Sequence, residues 1–497
     1  MSTTEASTVS EQSTVILITL VVYKLALIAI GLWSRSRVHD NTDFLLGGRN
    51  LGPWVAGLSY AASTSSAWIL LGFSGFVFSF GVAAVWMVPG IWAGYVAMWL
   101  WFGPRIRTES KENDWVTPTE FLSAGLPSSA AYRLAAIAAL LISFCFIFYI
   151  AAQFDAAASA FSVNFRLRHE TSLLLGAGIV LFYCLLGGFW AASVTDMLQA
   201  IIMLIAALLV SILAVVAAGG PVEILANLRA ADPALLDISG GTSGFMFAGL
   251  ALGLAGIGLG TLGQPQLIAR LMAVRGDRER KLGFSIAFVW GIAIYIGMTW
   301  LALAARSLAL APGEGEQVFY LLAAELLPPV LAGIVIAAVL SAVMSTVDSL
   351  LLAASAALAH DLQIGSRRGL DRLLVSRLMM AALVVASVAL ALILPESIFN
   401  RVLFAWNALG AAFGPLIVAR VLGIEPTANA RIASILSGFA LTVFFYTLGN
   451  ADAADHSGLY RQLVDLAKLP GDPFERVIPF LLPLAIVLWP GARLNRQ

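Results

Sequence analysis

The sequence has little charge and few residues that carry chemistry. Charged side chains make up 12% of its 497 residues and hydrophobic ones 60%, while the 29 basic and 29 acidic residues cancel. A soluble domain usually has about twice this charged fraction, so the composition predicts a membrane protein with many spans in the lipid bilayer. The balanced charge provides no basic surface and predicts no nucleic-acid partner.

Cysteine and histidine are also scarce. The two cysteines, Cys145 and Cys184, both fall in apolar runs, which argues against a disulfide framework or a cysteine metal site. The four histidines lie in loops or at span ends, without the spacing of metal ligands. The sequence has no Gly-x-x-x-x-Gly-Lys-Ser/Thr loop for ATP and no spaced Ser, His and acid for catalysis. We therefore predict that the protein is not an enzyme and that ATP does not power it.

Apolar runs long enough to cross a bilayer recur along the whole chain. The amino-terminal residues lack the basic region of a cleaved signal peptide, so the first span is expected to remain. We predict an all-α fold of about thirteen transmembrane helices, at residues 14–34, 54–80, 84–103, 131–162, 171–190, 194–218, 243–264, 282–308, 328–360, 373–394, 400–421, 430–449 and 475–490.

Lysine and arginine are unevenly distributed between the segments that connect these spans. With the amino terminus outside, the inward segments hold 20 of them and the outward segments hold 8. Cytoplasmic loops are enriched in basic residues, so we predict an outside amino terminus and a cytoplasmic carboxyl terminus in the plasma (inner) membrane. We refer to the two sides as the predicted outer face and the predicted inner face.

Two spans carry residues that disfavour an unbroken helix. The second span contains Ser59–Ala67, which is almost entirely small or hydroxylic, and the seventh ends in Gly253–Pro265, which has five glycines. Interrupted helices at corresponding positions in two halves are typical of inverted-repeat transporters. These two spans are five apart, which predicts one membrane domain with a first repeat at 54–218, a second at 243–421 and peripheral spans at the start and at 430–497. Close helix packing is the alternative explanation for the small residues.

The ninth span is polar at its middle. Ser341, Ser345 and Asp348 follow the i, i+4, i+7 spacing of one helix face. A polar face at this depth is expected to turn toward the interior of the bundle.

Short motifs follow one another along nearly the whole chain. They are Asp43-Phe44-Leu45-Leu46-Gly47-Gly48-Arg49, the Ala62-Ser63 run that ends in Trp68, Thr195-Asp196 with Gln199, Gly263-Gln264-Pro265 with Ala269-Arg270 and Met272-Ala273, Ala342-Val343-Met344-Ser345-Thr346, and Ala405-Trp406 with Gly410-Ala411-Ala412-Phe413-Gly414-Pro415. In this order they resemble the solute:sodium symporter family, most closely its bacterial sodium/proline branch. The resemblance implies a LeuT-type core of two inverted five-helix repeats and sodium-driven import of a small solute by alternating access.

The resemblance also implies a site for Na⁺, the coupling ion. Carried over by position, its ligands are the carbonyls of Ala62, Ser65 and Ala342 and the hydroxyls of Ser345 and Thr346. Sodium is a hard cation that takes oxygen ligands, as calcium and magnesium do. Bonding of the two hydroxyls to their own helix is the alternative.

The substrate site implied by the resemblance departs from the proline branch. Thr64 stands where the branch has an acidic residue, and Ile257 and Thr261 stand where it has a tryptophan and a tyrosine. These changes remove one charge and two aromatic walls, so the substrate is predicted to be proline or another small amino acid or carboxylate. The predicted substrate residues are Ser63, Thr64, Trp68, Tyr149, Gln153, Ile257, Thr261 and Pro265.

Ionised side chains within the spans are costly, at least ~2.5–3.5 kcal/mol at the bilayer centre, and usually line a polar path. The family uses the position of Asp196 in cation coupling, and Asp348 lies one turn beyond Ser345, so both are candidates for a second cation site. A solvated helix cap is the alternative for Asp196. Asp155 is expected to have a structural partner, and Lys24 to snorkel or pair.

Two other classes of protein are weighed against a symporter. A symporter-like membrane sensor would need an attached signalling domain, and the stretch after the last predicted span is too short for one. An intramembrane enzyme is disfavoured because the catalytic set is missing.

Overall fold

The computed structural model describes residues 45–165, 167–185, 188–310, 315–362, 364, 372–394, 396–451 and 458–492, with residues 14, 15, 17–19, 21–23, 25 and 29. Lys24 and the start of the Asp43–Arg49 motif lie outside these residues. The α-helices are α1 Pro53–Ala67, α2 Ser74–Phe80, α3 Met87–Val96, α4 Gly103–Glu112, α5 Pro118–Ser123, α6 Ser128–Phe165, α7 His169–Cys184, α8 Phe189–Ala217, α9 Pro221–Ala231, α10 Gly244–Gly260, α11 Pro265–Ala273, α12 Asp277–Ser307, α13 Val318–Leu326, α14 Pro329–Ser355, α15 Arg372–Ile393, α16 Ile398–Val421, α17 Ala428–Gly449, α18 Leu459–Ala467, α19 Pro473–Arg476 and α20 Ile478–Leu488.

The predicted all-α membrane fold is confirmed. Within the described ranges, nine helical segments are long and apolar enough to cross a membrane, the first being the 60-residue run Pro53–Glu112. The same ranges contain no β-strand, only an isolated bridge between Leu51 and Val274. The count of about thirteen spans and the division into two repeats stay predictions.

Two helices occupy the centre of the bundle. The most apolar window of the α14 segment is 83% buried within the protein and that of α16 is 94% buried, whereas α15 and α17 reach only 33%. A helix that is apolar all round and buried by protein belongs to a core, while one that is half exposed faces lipid. The ninth and eleventh predicted spans are therefore core helices.

The second predicted span is broken, as its sequence predicts. The backbone of Ser66 has φ 49° and ψ −171°, which interrupts α1 one residue before its end. A π-helical turn, Trp68–Phe73, then leads into α2. A non-glycine residue in this region of backbone space is strained by roughly 1–3 kcal/mol, which persists where the surroundings fix it.

The seventh predicted span is broken later than its glycines suggest. α10 continues through Gly260 and a 3₁₀ turn to Gly263, and the extended residue is Gln264, just before α11. The glycines serve close packing: a Cβ on Gly258 would lie 1.9 Å from the carbonyl oxygen of Gly90, and one on Gly260 would lie 2.0 Å from the Trp406 ring. The interruption thus falls at Gln264, near the end of the predicted stretch Gly253–Pro265 and after its glycines, and the packing alternative holds for these glycines.

Candidate ion and substrate site

The hydroxyl-rich part of α1 meets the polar face of α14. Ser63 Oγ lies 3.4 Å from the carbonyl oxygen of Ser345 and 2.7 Å from Ser349 Oγ, both within hydrogen-bonding distance. Residues 342, 345, 346 and 349 share one face of a helix because of their spacing. The α14 face with the predicted sodium ligands is therefore turned toward α1. Ser341 instead shares a hydrogen bond with Tyr23 of the first span.

Thr346 has an unsatisfied hydroxyl at this contact. Its side chain is fully buried, and its Oγ1 has no hydrogen-bond partner among the described residues. Ser345 Oγ donates to Ala342 O at 3.2 Å, so only one of the two hydroxyls bonds its own helix. Leaving a buried polar group unpaired costs about 1–3 kcal/mol, which a bound cation would recover.

The predicted α1 ligands lie next to the break. In a continuous helix the carbonyl of Ala62 would accept the amide of Ser66, the residue at which the helical torsions are lost. The carbonyl of Ser65 accepts the amide of Trp68 across the break. Carbonyl oxygens at a helix break can carry partial negative charge toward an ion, as the sodium prediction requires.

A buried ion pair lies beside the α1–α14 contact. Arg270 Nη2 donates to Asp196 Oδ2 at 2.8 Å, and Arg270 Nε donates to Ser59 Oγ at 2.8 Å. Ser59 Oγ in turn donates to Asp196 Oδ2 at 2.8 Å, and Arg270 also bonds Ser349 on α14. The Arg270 and Asp196 side chains are 2% and 1% exposed. The solvated-cap alternative for Asp196 is therefore wrong. Its Oδ1 has no partner within the described part of the chain.

Asp348 extends this cluster. It is 3% exposed, hydrogen-bonds with Cys184, and interacts electrostatically with Asp196 and Arg270. The interior thus holds two carboxyl groups and one guanidinium group close together. A cation bound here would balance the extra acidic group, which favours the predicted second cation site but does not test it.

Three predicted substrate residues, Trp68, Tyr149 and Gln153, meet at the α1 break. The amide of Ala67 donates to Gln153 Oε1 at 3.2 Å, so α6 holds the break in place. Tyr149, one turn before Gln153, interacts with the hydroxyl of Ser66. Gln153 Nε2 and Trp68 Nε1 are buried without partners in the described ranges. Thr64 donates to the carbonyl oxygen of Tyr60 at 2.7 Å, and Ser63 contacts α14 beside the predicted sodium ligands.

The other predicted substrate residues follow the end of α10. Trp406 Nε1 donates to the carbonyl of Ile257 at 2.9 Å. Gln264 Nε2 donates to Gly260 O at 2.9 Å and to Trp406 O at 3.0 Å, which fastens the break before Pro265 to α16. Thr261 Oγ1 is a further buried atom with no partner among the residues described. The structure therefore fastens Ile257 and the break before Pro265 to α16, while the Thr261 side chain faces Gly94 of α3.

An aromatic stack lies above the α1 break on the predicted outer face. Phe399 stacks on Trp68 with ring centroids 5.8 Å apart and on Phe76 with centroids 4.5 Å apart. Phe76 and Phe399 line a cavity of about 1050 Å³ that opens on this face. Trp68 is 5% exposed. The open cavity therefore ends at the stack.

The path is closed on the predicted inner face. A cavity of about 30 Å³, enough for roughly one water, lies among Arg270, Ser349, Val116 and Pro118. The structure is therefore open toward the predicted outer face and closed toward the predicted inner face.

Asp155 has the structural partner that its sequence position predicts. It forms an ion pair with Arg401 of α16 and lies 3.3 Å from His169 Nε2 at the start of α7. The Arg401 side chain is 1% exposed. The pair ties α6 to α16 beside the outer cavity.

Glu475, in the short helix α19, is the first residue of the last predicted span. It accepts a hydrogen bond from Asn407 Nδ2 of α16 at 3.2 Å. The start of this predicted span is therefore held against a core helix.

Arg270 is the site residue whose place the sequence misassigns. The basic-residue count puts it in an inner loop, whereas the structure buries it in α11 against Asp196. Its position in the Gly263–Ala273 motif was a signal, as was the need of a buried Asp196 for a cationic partner. Ser59, Ser349 and Gln264 also serve the site. Ser59 and Gln264 lie in the stretches Ser59–Ala67 and Gly253–Pro265 that the sequence singles out, and Ser349 directly follows Asp348.

Comparison with known proteins identifies the family. The sodium:solute symporter family matches residues 44–436. The chain is 32% identical over 440 residues to the high-affinity proline transporter PutP of Bacillus subtilis, covering 86% of this chain and 91% of that protein. It is 33% identical over 448 residues to the sodium/proline symporter of Escherichia coli, covering 87% and 88%.

The fold matches solved transporters as well. A Na⁺-coupled sialic acid symporter, solved in a substrate-bound outward-open state, superposes with a TM-score of 0.72 at 17% identity, covering 93% of this chain and 98% of that one. This likeness establishes the LeuT-type fold. The chain therefore belongs to the sodium:solute symporter family and is a multi-pass membrane transporter with Na⁺ as its coupling ion, not an enzyme.

Proposed function

We propose that the protein couples sodium to the import of proline, or of a related small amino acid or carboxylate, by alternating access. The observation that carries the proposal is the buried Thr346 hydroxyl without a described partner, on the α14 face turned toward the α1 break. The similarity to proline transporters supports proline as the first substrate to test.

The sodium site in this proposal joins two parts of the core. The carbonyls of Ala62 and Ser65 belong to α1, whereas Ala342, Ser345 and Thr346 belong to α14. An ion held by both helices stabilises the arrangement in which they touch. Sodium binding would therefore fix the α1 break and, with it, the pocket walls, which makes substrate affinity depend on sodium.

The substrate pocket in this proposal lies between the α1 break and the aromatic stack. Gln153 Nε2, a buried donor with no partner in the described ranges, could donate to a substrate carboxylate. Trp68 and Tyr149 provide aromatic walls. Ile257 and Thr261 leave the α10 side smaller and less aromatic than in the proline branch, so a substrate other than proline could fill it better.

A second cation site and the orientation complete the proposal. Asp196 Oδ1, buried without a partner in the described part of the chain, and Asp348 would be its acidic ligands. The excess of arginine and lysine on one side supports a cytoplasmic carboxyl terminus, so that the 1050 Å³ cavity opens outward.

Uptake into proteoliposomes tests the function. We expect an inward sodium gradient to drive uptake of one small amino acid or carboxylate from a panel that includes proline, and proline uptake itself to be weak because of Ile257 and Thr261. Each uptake is measured with a potassium gradient as the control. Fast, high-affinity proline uptake would show that these two positions do not limit proline, and no sodium-dependent uptake of any compound would contradict the proposed substrate class.

A further inference from the structure

The seal on the predicted inner face is formed by the segment before α5. Val116 and Pro118 line the 30 Å³ cavity beneath the Arg270 cluster, together with Leu45. Opening the path toward this face therefore requires the segment 116–118 to move away from α11 and α14. We call residues 116–123 the inner lid.

The inner lid is fastened to the end of the ninth span. Thr117 Oγ1 donates to Asp361 Oδ1 at 2.8 Å, and His360 Nε2 lies 3.2 Å from Glu120 Oε1. Asp361 and His360 belong to the π-helical turn Ala356–Asp361 that continues α14. The helix with the predicted sodium ligands thus also holds the lid.

Glu120 serves the lid and the fastening at the same time. Its Oε2 accepts the amides of Val116 at 2.7 Å and Thr117 at 3.0 Å, which completes a capping box with Thr117. Burial alone would raise the pKa of Glu120, but the bonds from His360, Thr117 and Val116 outweigh burial and lower it. Glu120 therefore stays ionised near neutral pH, and the charge on the imidazole decides the strength of its pairing with His360.

The contacts between the inner lid and the end of the ninth span are accessible to protons from one side. Glu120, His360 and Asp361 line a separate cavity of about 570 Å³ beside the start of α6. These three groups act electrostatically on one another, and Arg49 also interacts with Glu120. Tyr132 of α6 is the other titratable group in the cavity lining.

We propose that Glu120, His360 and Asp361 form a proton-operated latch on the inner lid. An imidazole ordinarily gains its proton near pH 6.5, and the resulting imidazolium would lie 3.2 Å from the ionised Glu120 carboxylate. Acidification of the predicted inner side thus strengthens the hold of α14 on the lid and slows opening toward that side. Falling pH on that side therefore slows transport. The effect on transport rests on the proposed function, whereas the effect on the lid does not.

Access to the closed cavity tests the latch without a substrate. Ala353 lines the 30 Å³ cavity, so Ala353→Cys reports lid opening to a membrane-impermeant thiol reagent. The natural cysteines, Cys145 and Cys184, are buried. In inside-out vesicles, labelling is compared at pH 6 and pH 8 in the Ala353→Cys protein with and without His360→Gln. The ratio between the two proteins at each pH cancels the pH dependence of the thiol itself.

We expect His360→Gln to increase labelling at least about threefold at pH 6 and to leave it nearly unchanged at pH 8. Glu120→Gln, which keeps a capping-box side chain, should give the same pattern. The matched control Tyr132→Phe alters the same cavity without removing the imidazole, and should follow the parent at both pH values. An identical effect of His360→Gln at pH 6 and pH 8 would overturn the latch even if sodium-driven uptake is intact. Absence of uptake with a pH-dependent lid would instead count against the proposed function alone.

Discussion

Replacing Thr346 with alanine is expected to raise the sodium concentration for half-maximal uptake at least about tenfold, equivalent to about 1.4 kcal/mol of lost binding free energy. The hydroxyl is buried and has no hydrogen-bond partner within the described chain. Its removal should therefore destabilise the fold only slightly, while the bound ion loses one ligand. Ser345→Ala should also raise the sodium concentration for half-maximal uptake, but by less, because the Ser345 hydroxyl already donates a hydrogen bond to the carbonyl oxygen of Ala342. Initial uptake rates over a sodium titration measure both effects.

Ser355→Ala is the matched control. Ser355 is a buried serine on the same helix whose hydroxyl bonds Leu352, away from α1. Its sodium dependence should equal that of the parent. Unchanged sodium dependence in both Thr346→Ala and Ser345→Ala would reject the ligand assignment, while a loss of maximal rate alone would place these hydroxyls in the conformational change and not in the ion site.

The fold follows from the sequence because bilayer physics leaves few alternatives. Long apolar runs with almost no charge must be helices, since hydrocarbon satisfies no backbone group. The α1 break was predictable for the same reason. The small and hydroxylic residues of Ser59–Ala67 gain no stability from contact with lipid, and their hydroxyl groups provide hydrogen-bond partners inside the protein. The break residue itself, Ser66, was not predictable, because a positive φ at a serine is imposed by tertiary contacts such as the Ala67–Gln153 bond.

The α10 glycines show where sequence reasoning fails. Glycine weakens a helix and also lets two helices approach closely, and the pattern of glycines does not separate these effects. The residues that pack against the glycines determine which effect applies. Here these residues are Gly90 and Trp406, which are distant in the sequence. The same limit applies to the ion pair: Asp196 needs a cation, but nothing local indicates that it comes from Arg270, 74 positions further on.

Replacing Arg270 with glutamine is expected to cause the largest loss of stability among single substitutions at the site. It removes the cationic partner of Asp196 and leaves that carboxylate in the core with Ser59 as its described donor. Breaking a buried pair on one side costs about 3–5 kcal/mol, because an uncompensated charge stays behind. The variant should give little folded protein in detergent, as measured by size-exclusion chromatography and thermal unfolding, and no measurable uptake.

A double substitution separates charge burial from ion coupling. Arg270→Gln combined with Asp196→Asn removes both charges. Because the effects of substitutions at contacting residues are not additive, the double variant should regain more than half of the stability that Arg270→Gln alone loses. If Asp196 is also a cation ligand, the stabilised double variant should still show no response to sodium in thermal-shift and uptake assays. Arg275→Gln is the control, because its pair with Glu279 has an arginine side chain that is 58% exposed, and should cost under about 1 kcal/mol. If the double variant is no more stable than Arg270→Gln, the buried charge of Asp196 is not what Arg270 compensates; if it transports with normal sodium dependence, Asp196 is a structural partner of Arg270 and no ligand of the coupling ion.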